Sequence, residues 1–501
     1  MSRSTVPVLR LWLIALLAVL VHGYHLGVDD AEIYVPGIKK AADPTLYPFG
    51  SQFFMAHAHL SLFSDLVGNF ARWTFVPVNL VIFLFHIAGI FLLLVASWLL
   101  LCACFSSEPA RWGGVVTLAA VLTVPVAGTA LVIMDPYLTA RSLSTPFTIF
   151  AVVCYVTGRP RQALAWLLAT AVVHPLMSAY GIVFLGCLVL ARKFELYKEQ
   201  VAISGARSVF ALAFLFGFEP ASGPAREALF SRTYLFVTNW TWYEWIGVFA
   251  PLGLAWCLTS PTLRATTPVF RLVLRTLVPF GISFTCAGLV LSLSPRLENF
   301  ARVQPMRSFH LVYVIFFLML GGLIGEYALR STLLRWFVLF APLAVCMYLV
   351  QRNCYASSSH LEWPGSADVN KWNSAFVWAR EHTPKSAIFA LDPDYILRTG
   401  EDSQGFRAIA ERSALADDVK DGGVVSMFPE LAGEWKKETN AQRGWAKFKS
   451  ADFENLARHY PVTWIVTLRP APRGMDCPYR NKEIAVCSIR AGAGVRPVPD
   501  R

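Results

Sequence analysis

Residues 1–37 read MSRSTVPVLR-LWLIALLAVLV-HGYHL-GVDDAEIYVPG: a basic start, an apolar run at Leu11–Val21, then carboxylates at Asp29, Asp30 and Glu32. A signal sequence and a first membrane span both begin this way. The polar stretch after the run offers no clear small-x-small cleavage site, and many apolar segments follow. The run is therefore read as an uncleaved span. About 20 mostly apolar residues cross a bilayer, and fewer serve where a helix is half-buried or re-entrant. By that measure eleven spans are expected, at 9–26, 75–105, 113–133, 144–157, 162–173, 175–191, 205–218, 244–259, 271–293, 308–328 and 333–350. The two segments flanking His174-Pro175 read equally as one kinked helix.

Composition supports a membrane protein. The 501 residues are 55% hydrophobic and 15% charged, against about 25% charged in soluble domains. Residues 1–351 hold 23 Lys/Arg and 14 Asp/Glu, whereas the last 150 residues hold 21 and 19. The expected organisation is a multi-span unit over 1–351, with a long outer loop at 27–73, followed by a small extracytoplasmic α/β unit over 352–501. The net charge of +11 lies mostly in the membrane part and reads as basic cytoplasmic loops, not as a nucleic-acid surface. With the N-terminus inside, the cytoplasmic segments carry 14 Lys/Arg and 4 acids, and the opposite side 9 and 10. That bias puts the tail outside, and short loops with a compact outer unit suggest a bacterial inner membrane.

The acids concentrate on one face. Three carboxylates in four residues at Asp29, Asp30 and Glu32 repel one another, which raises at least one pKa unless a cation compensates. Such a group serves as a general base or as oxygen ligands for a divalent ion, Mg or Mn, or is a solvated acidic loop. Asp135 either caps the next helix or adds a carboxylate to a shared site, with Arg141 nearby. His174 is an ionisable group in an apolar stretch, or else bonds a carbonyl freed by Pro175. Arg302, Gln304, Arg307 and His310 lie in ENFARVQPMRSFH at an outer helix end. There they form a phosphate clamp or snorkel to headgroups, and Arg141 and Arg232 could join the clamp. Trp240 and Trp242 suit an interfacial belt or a sugar-stacking surface.

In the tail, a helix is expected over Asp368–Glu381 with Asp368 as its cap, and strands at 387–391, 412–415, 462–468 and 483–489. Cys477 and Cys487 could pair in an oxidising compartment, whereas Cys102 and Cys104 read as core residues. Phe406-Arg407, Glu411-Arg412-Ser413 and Asp417-Asp418-Val419-Lys420 either reach back to the membrane site or form structural ion pairs. GxGxxG, Walker, nucleophile-elbow and HExxH patterns are absent from the sequence, which disfavours NTP-driven transport and common hydrolase chemistry.

The Asp29-Asp30 pair after the first span, followed by Tyr34-Val35-Pro36, resembles the GT-C superfamily of polytopic membrane glycosyltransferases. The tail segments WAREHTPKSAIFALDP and FRAIAERSALADDVK resemble a domain behind GT-C-like cores in uncharacterised bacterial proteins. The resemblance implies an α-helical polytopic GT-C-like fold and a sugar donor on a polyprenyl phosphate, with a glycan, lipid or protein acceptor. It also implies that Asp29 or Asp30 is the base or metal ligand, that Glu32 and Tyr34 lie at the substrate, and that Arg302 and Arg307 hold the carrier phosphate. A non-catalytic membrane scaffold and a transporter or flippase are the competing expectations.

Overall fold

The structure is a computed structural model that describes residues 6–196, 220–259, 266–366, 370–398, 400 and 402–489. It is mostly helical, with a small C-terminal sheet. Among the described residues five helices are long and apolar enough to cross a membrane: Val78–Cys104, Pro175–Lys193, Pro268–Leu293, Pro295–Leu329 and Leu333–Cys354. The first of these has 27 residues and no charge; at 1.5 Å per residue it reaches about 40 Å, beyond the ~30 Å hydrocarbon core. Val8–His22 and Ala140–Val156 are apolar but shorter. The span expected at 205–218 lies outside the described residues.

The helix expected over 113–133 stops at Ala120. Pro125 has no N–H to continue the ladder, and the chain folds back, with Val126 N–H donating to the Leu131 carbonyl at 2.8 Å. Residues 134–139 are thus left as a buried, non-helical strip that carries Asp135 and Tyr137. At His174 the chain breaks into two helices, Pro160–Val173 and Pro175–Leu196, which pack on each other.

Phe309–Leu323 is buried at nearly every residue and forms the centre of the membrane part. The helix Glu108–Ala120 crosses it at glycines: a Cβ on Gly113 would lie 2.4 Å from the Gly321 carbonyl oxygen, and one on Gly321 would lie 2.4 Å from Thr117 Oγ1. Without a hydrophobic driving force between helices in lipid, such close approach is what holds them together.

The outer loop folds into the short helices Ala31–Ala42, Gln52–Ala58 and Phe63–Thr74. The tail forms β1 (Ile388–Ala390), β2 (Ser413–Ala414), β3 (Trp464–Leu468), β4 (Asp476–Arg480) and β5 (Ile484–Ser488), in the order β2-β1-β3-β5-β4. The β2-β1-β3 pairs are parallel, and β3-β5 and β5-β4 are antiparallel. Strand β4 escaped the sequence reading because Pro478 interrupts it, a residue tolerated only at a sheet edge. Cys477 and Cys487 form a disulfide between β4 and β5. The tail's first helix begins at Lys371, capped by Asn370, whose side-chain oxygen accepts from Trp372 N–H at 2.8 Å; Asp368 lies outside the described residues.

Tail and outer loop share one core. Val28, Val35 and Ile38 cluster with Phe376, Phe389 and Phe406, and main-chain bridges join Tyr24 to Leu361 and Val28 to Gln404. We expect Gly321→Ala to destabilise the membrane unit by about 1–3 kcal/mol, as overpacking typically does. Thermal unfolding in detergent checks this; an unchanged midpoint would mean that the crossing relaxes freely.

Candidate functional site

Asp29 sits in the left-handed backbone region (φ 52°), which Asp enters more readily than most residues. Its N–H donates to the Ser403 carbonyl at 3.0 Å, so the tail pins the turn. The two carboxylates meet the ammonium of Lys420, which donates to Asp29 Oδ1 and, at 3.0 Å, to Asp30 Oδ1. The Tyr137 hydroxyl donates to Asp29 Oδ2 at 3.2 Å. The acids remain accessible: their side chains are 52% and 29% exposed, against 9% for Lys420.

Lys420 is fixed in place from several sides. Asp417 Oδ1 accepts from the N–H groups of Val419, at 2.8 Å, and Lys420. Arg232, expected in a phosphate clamp, instead donates to the carbonyls of Val419 and, at 3.4 Å, Asp418. Gly422 allows that approach, since a Cβ there would lie 3.2 Å from the Trp435 ring and 3.4 Å from Arg232 Nη2.

Two segments bring further cations. Arg141 pairs with Asp135 at 2.7 Å, and Thr139 Oγ1 donates to the same carboxylate oxygen at 3.1 Å. Asp135 is thus a partner for Arg141, while Thr139 supplies the cap of the following helix. Arg307 is half-buried with its guanidinium 5.0 Å from the centre of the Tyr234 ring, and no carboxylate pairs with it among the described residues. Burial raises the Asp30 pKa, but Lys420, Arg141 and Arg307 outweigh it and hold the carboxyl well below its usual range. Tyr34 is buried edge-on to His57, with ring centres 4.8 Å apart. Burial pushes His57 down to about 4 against the pull of Asp30, so it is neutral at pH 7. His174 is within electrostatic range of Arg141, His57, Arg307 and His310, and so belongs to the same cluster.

Other expected residues are committed elsewhere. Glu32 is buried and accepts from the N–H groups of Arg407 at 2.9 Å and Ala408 at 2.8 Å. It docks the outer loop onto the tail and does not face the cluster around Asp30. His310 donates from Nε2 to the Ile133 carbonyl at 2.8 Å, anchoring the folded-back strip. Gln304 takes a left-handed turn whose carbonyl accepts from Tyr180 Oη at 2.7 Å. Arg302 lies within electrostatic range of Glu430. Trp240 is buried against Gly128 and donates to the Tyr234 carbonyl at 3.3 Å, whereas Trp242 is 74% exposed.

No protein-family model and no curated protein matches this chain. A divalent ion between Asp29 and Asp30 does not fit the residues present. Lys420 Nζ stands between the two oxygens that such an ion would take, and among the described residues no three His, Cys, Asp or Glu side chains converge on a metal position. Sequence reasoning missed Tyr137 and His57 as members of the cluster. It quoted Lys420 only as part of a polar tail segment, and a lysine among surface-type residues gives no local signal of this role.

Beneath the site, Arg407 pairs with Asp421 at 2.7 Å and lies 3.6 Å from Glu32 and 3.9 Å from Asp417. One guanidinium faces three buried acids. Burial, with too little positive charge to offset it, pushes Asp417 up to about 8 and Glu32 up to about 7. Both native pKa values lie above the unfolded ones, so the protonated forms favour the fold. That contribution is complete below the ordinary carboxylate range and is lost as pH rises through about 7–8. The melting temperature is therefore expected to fall between pH 6 and pH 9, with a flatter slope in Asp417→Asn, which keeps the capping oxygen. Parallel slopes for the two proteins would contradict this account.

Proposed function

We propose that the protein is a membrane glycosyltransferase of the GT-C kind. It would move a sugar from a polyprenyl-phosphate carrier to a hydroxyl on a lipid, glycan or protein acceptor outside the cytoplasm. The observation that carries the reading is Arg307, whose guanidinium pairs with no carboxylate among the described residues and acts electrostatically on Asp30, one of the accessible acid pair. An arginine so placed suits a substrate that brings its own anion and a hydroxyl to be oriented.

In this reading the acceptor oxygen attacks the anomeric carbon and the bond to the carrier phosphate breaks. The polyprenyl phosphate leaves with the electron pair, and the hydroxyl proton passes to Asp29 or Asp30. Arg307, with Arg141 behind it, stabilises the negative charge developing on the leaving group, which is usually the largest catalytic contribution. Neutral His57, edge-on to Tyr34, adds no charge there.

Sidedness follows the same logic. Arg10 lies 3.6 Å from Glu108 and 5.8 Å from the centre of the Trp112 ring, at the basic, cytoplasmic end. The Cys477–Cys487 disulfide suits an oxidising compartment, so the tail is read as extracytoplasmic, facing out from a bacterial inner membrane. The helices at Val8–His22, Ala140–Val156, Pro160–Val173 and Trp242–Cys257 would join the five longer ones, nine of the eleven spans expected, with 113–133 broken and 205–218 outside the described residues.

The test is mass spectrometry of polyprenyl-linked sugars in membranes with no protein, wild type, Asp29→Asn/Asp30→Asn or Arg307→Ala. Wild type should consume one lipid-linked sugar. The acid double variant should lose at least about 10²-fold, the usual size of a general-base contribution, and Arg307→Ala about 10²–10³-fold. Identical membranes across a broad panel of donors and acceptors would overturn the reading in favour of a scaffold.

A further inference from the structure

We propose that Lys420, delivered by the tail, takes the place of a divalent cation between Asp29 and Asp30, so that the site works with a built-in ammonium and binds no catalytic metal. Its part in catalysis rests on the glycosyl-transfer reading; the cation site itself does not.

The geometry sets this lysine apart from an ordinary surface ion pair. Its stem is buried and its ammonium bonds both carboxylates at once. Its main chain is gripped by the Asp417 side chain, and the preceding carbonyls are gripped by Arg232. Asp421, next in the chain, is clamped by Arg407 at 2.7 Å. Holding a long flexible side chain in one geometry costs rotamer entropy, and this mounting offsets part of it in advance.

Charge balance points the same way. Asp135 is matched by Arg141, which leaves Asp29 and Asp30 against Lys420 and Arg307, two negative charges and two positive. A divalent ion entering beside Lys420 would meet three cations, Lys420, Arg141 and Arg307, that already act on Asp30. Lys420 is thus a positioning residue: it fixes both carboxylates toward the acceptor hydroxyl. A protein whose tail is displaced would lose that cation together with the outer wall of the site.

The experiment is Mn²⁺ titration followed by electron paramagnetic resonance on the purified full-length protein in lipid nanodiscs. The samples are wild type, Lys420→Arg, Lys420→Met, and Lys420→Met combined with Asp29→Asn/Asp30→Asn. Wild type and Lys420→Arg should show no stoichiometric Mn²⁺. Lys420→Met should gain one equivalent that the added Asn substitutions remove. One equivalent bound by wild type and removed by Asp29→Asn/Asp30→Asn would overturn the proposal, as would a folded Lys420→Met that binds none. If Lys420→Met does not fold, wild type and Lys420→Arg decide: metal-free protein in both supports the proposal.

Turnover adds a second readout. Activity that survives EDTA, persists in Lys420→Arg within about 10-fold and falls about 10²-fold in Lys420→Met supports the ammonium. Activity abolished by EDTA and restored by Mn²⁺ in wild type overturns it while leaving glycosyl transfer standing. Failure to turn over any carrier sugar counts against glycosyl transfer, and the Mn²⁺ result then decides the cation site alone.

Discussion

The buried guanidinium of Arg407 is the joint on which the outer half of the molecule depends. It binds Asp421 at 2.7 Å and lies within 3.6 Å of Glu32 in the outer loop, while the N–H groups of Arg407 and Ala408 bond that same glutamate. Lys39 repeats the arrangement about two helical turns away: it is fully buried and donates at 2.8 Å to both the Ala408 carbonyl and Glu411. Desolvating ions is expensive, and removing one partner of a buried pair leaves an uncompensated charge that costs about 3–5 kcal/mol. The outer loop and the tail therefore hold a fixed relation that an apolar contact of the same area would not specify. Asp29 and Lys420, about 390 residues apart in sequence (391 positions), meet because of it.

A consequence is that the polar cluster is assembled by the fold and not by any local motif. Asp29 and Asp30 come from the outer loop, Tyr137 from the strip beyond the aborted helix, Arg141 from the helix that follows it, and Arg307 from the turns before the central helix. Lys420 comes from the tail. Each segment places its residue by a separate device: a left-handed turn at Asp29, a proline break at Pro125, a Thr139 cap and the Asp417 cap. The cluster that results is nearly neutral in sum yet pairs Arg307 with no acid among the described residues.

This division explains what the sequence disclosed. The Asp29/Asp30 pair, Arg141, His174 and Arg307 were legible because ionisable groups are rare near apolar runs, so each stands out against its background. The strands β3 and β5 were legible from β-branched runs, β1 and β2 from short apolar stretches, and Cys477 with Cys487 from a shared unit. Glu32 looked like the third member of an acidic cluster; spacing along the chain says nothing of the helix Ala31–Ala42 turning it toward Arg407 instead. The helix expected through 113–133 failed because hydropathy is blind to a proline that breaks an apolar run inside a protein core. Arg232 and Lys420 exchanged roles for a related reason. In a soluble-type tail a lysine is ordinary and an arginine near a membrane is not, yet Lys420 reaches the two acids while Arg232 bonds tail carbonyls.

The helix Phe63–Thr74 shows how the outer unit meets the bilayer. Its Phe63, Val67 and Ala71 are buried in the core shared with the tail. Leu62, Leu66, Phe70 and Trp73, which adjoin that stripe on the helix surface, are exposed, and Phe70 rests against Phe85 of the first long span with ring centres 5.5 Å apart. An ordinary surface helix buries its apolar face; here the apolar arc runs on past the buried stripe, with Asp65, Asn69 and Arg72 on the remaining side. The exposed part of the arc suits an interfacial zone, where an apolar helical stripe gains by entering the acyl boundary. Because the chain runs on from Thr74 into Val78–Cys104, the plane of that helix sets the depth of the whole outer unit. Asp29 and Asp30 flank Val28 and Ala31 of the same core, so the apolar helix and the acidic pair are held in one rigid unit.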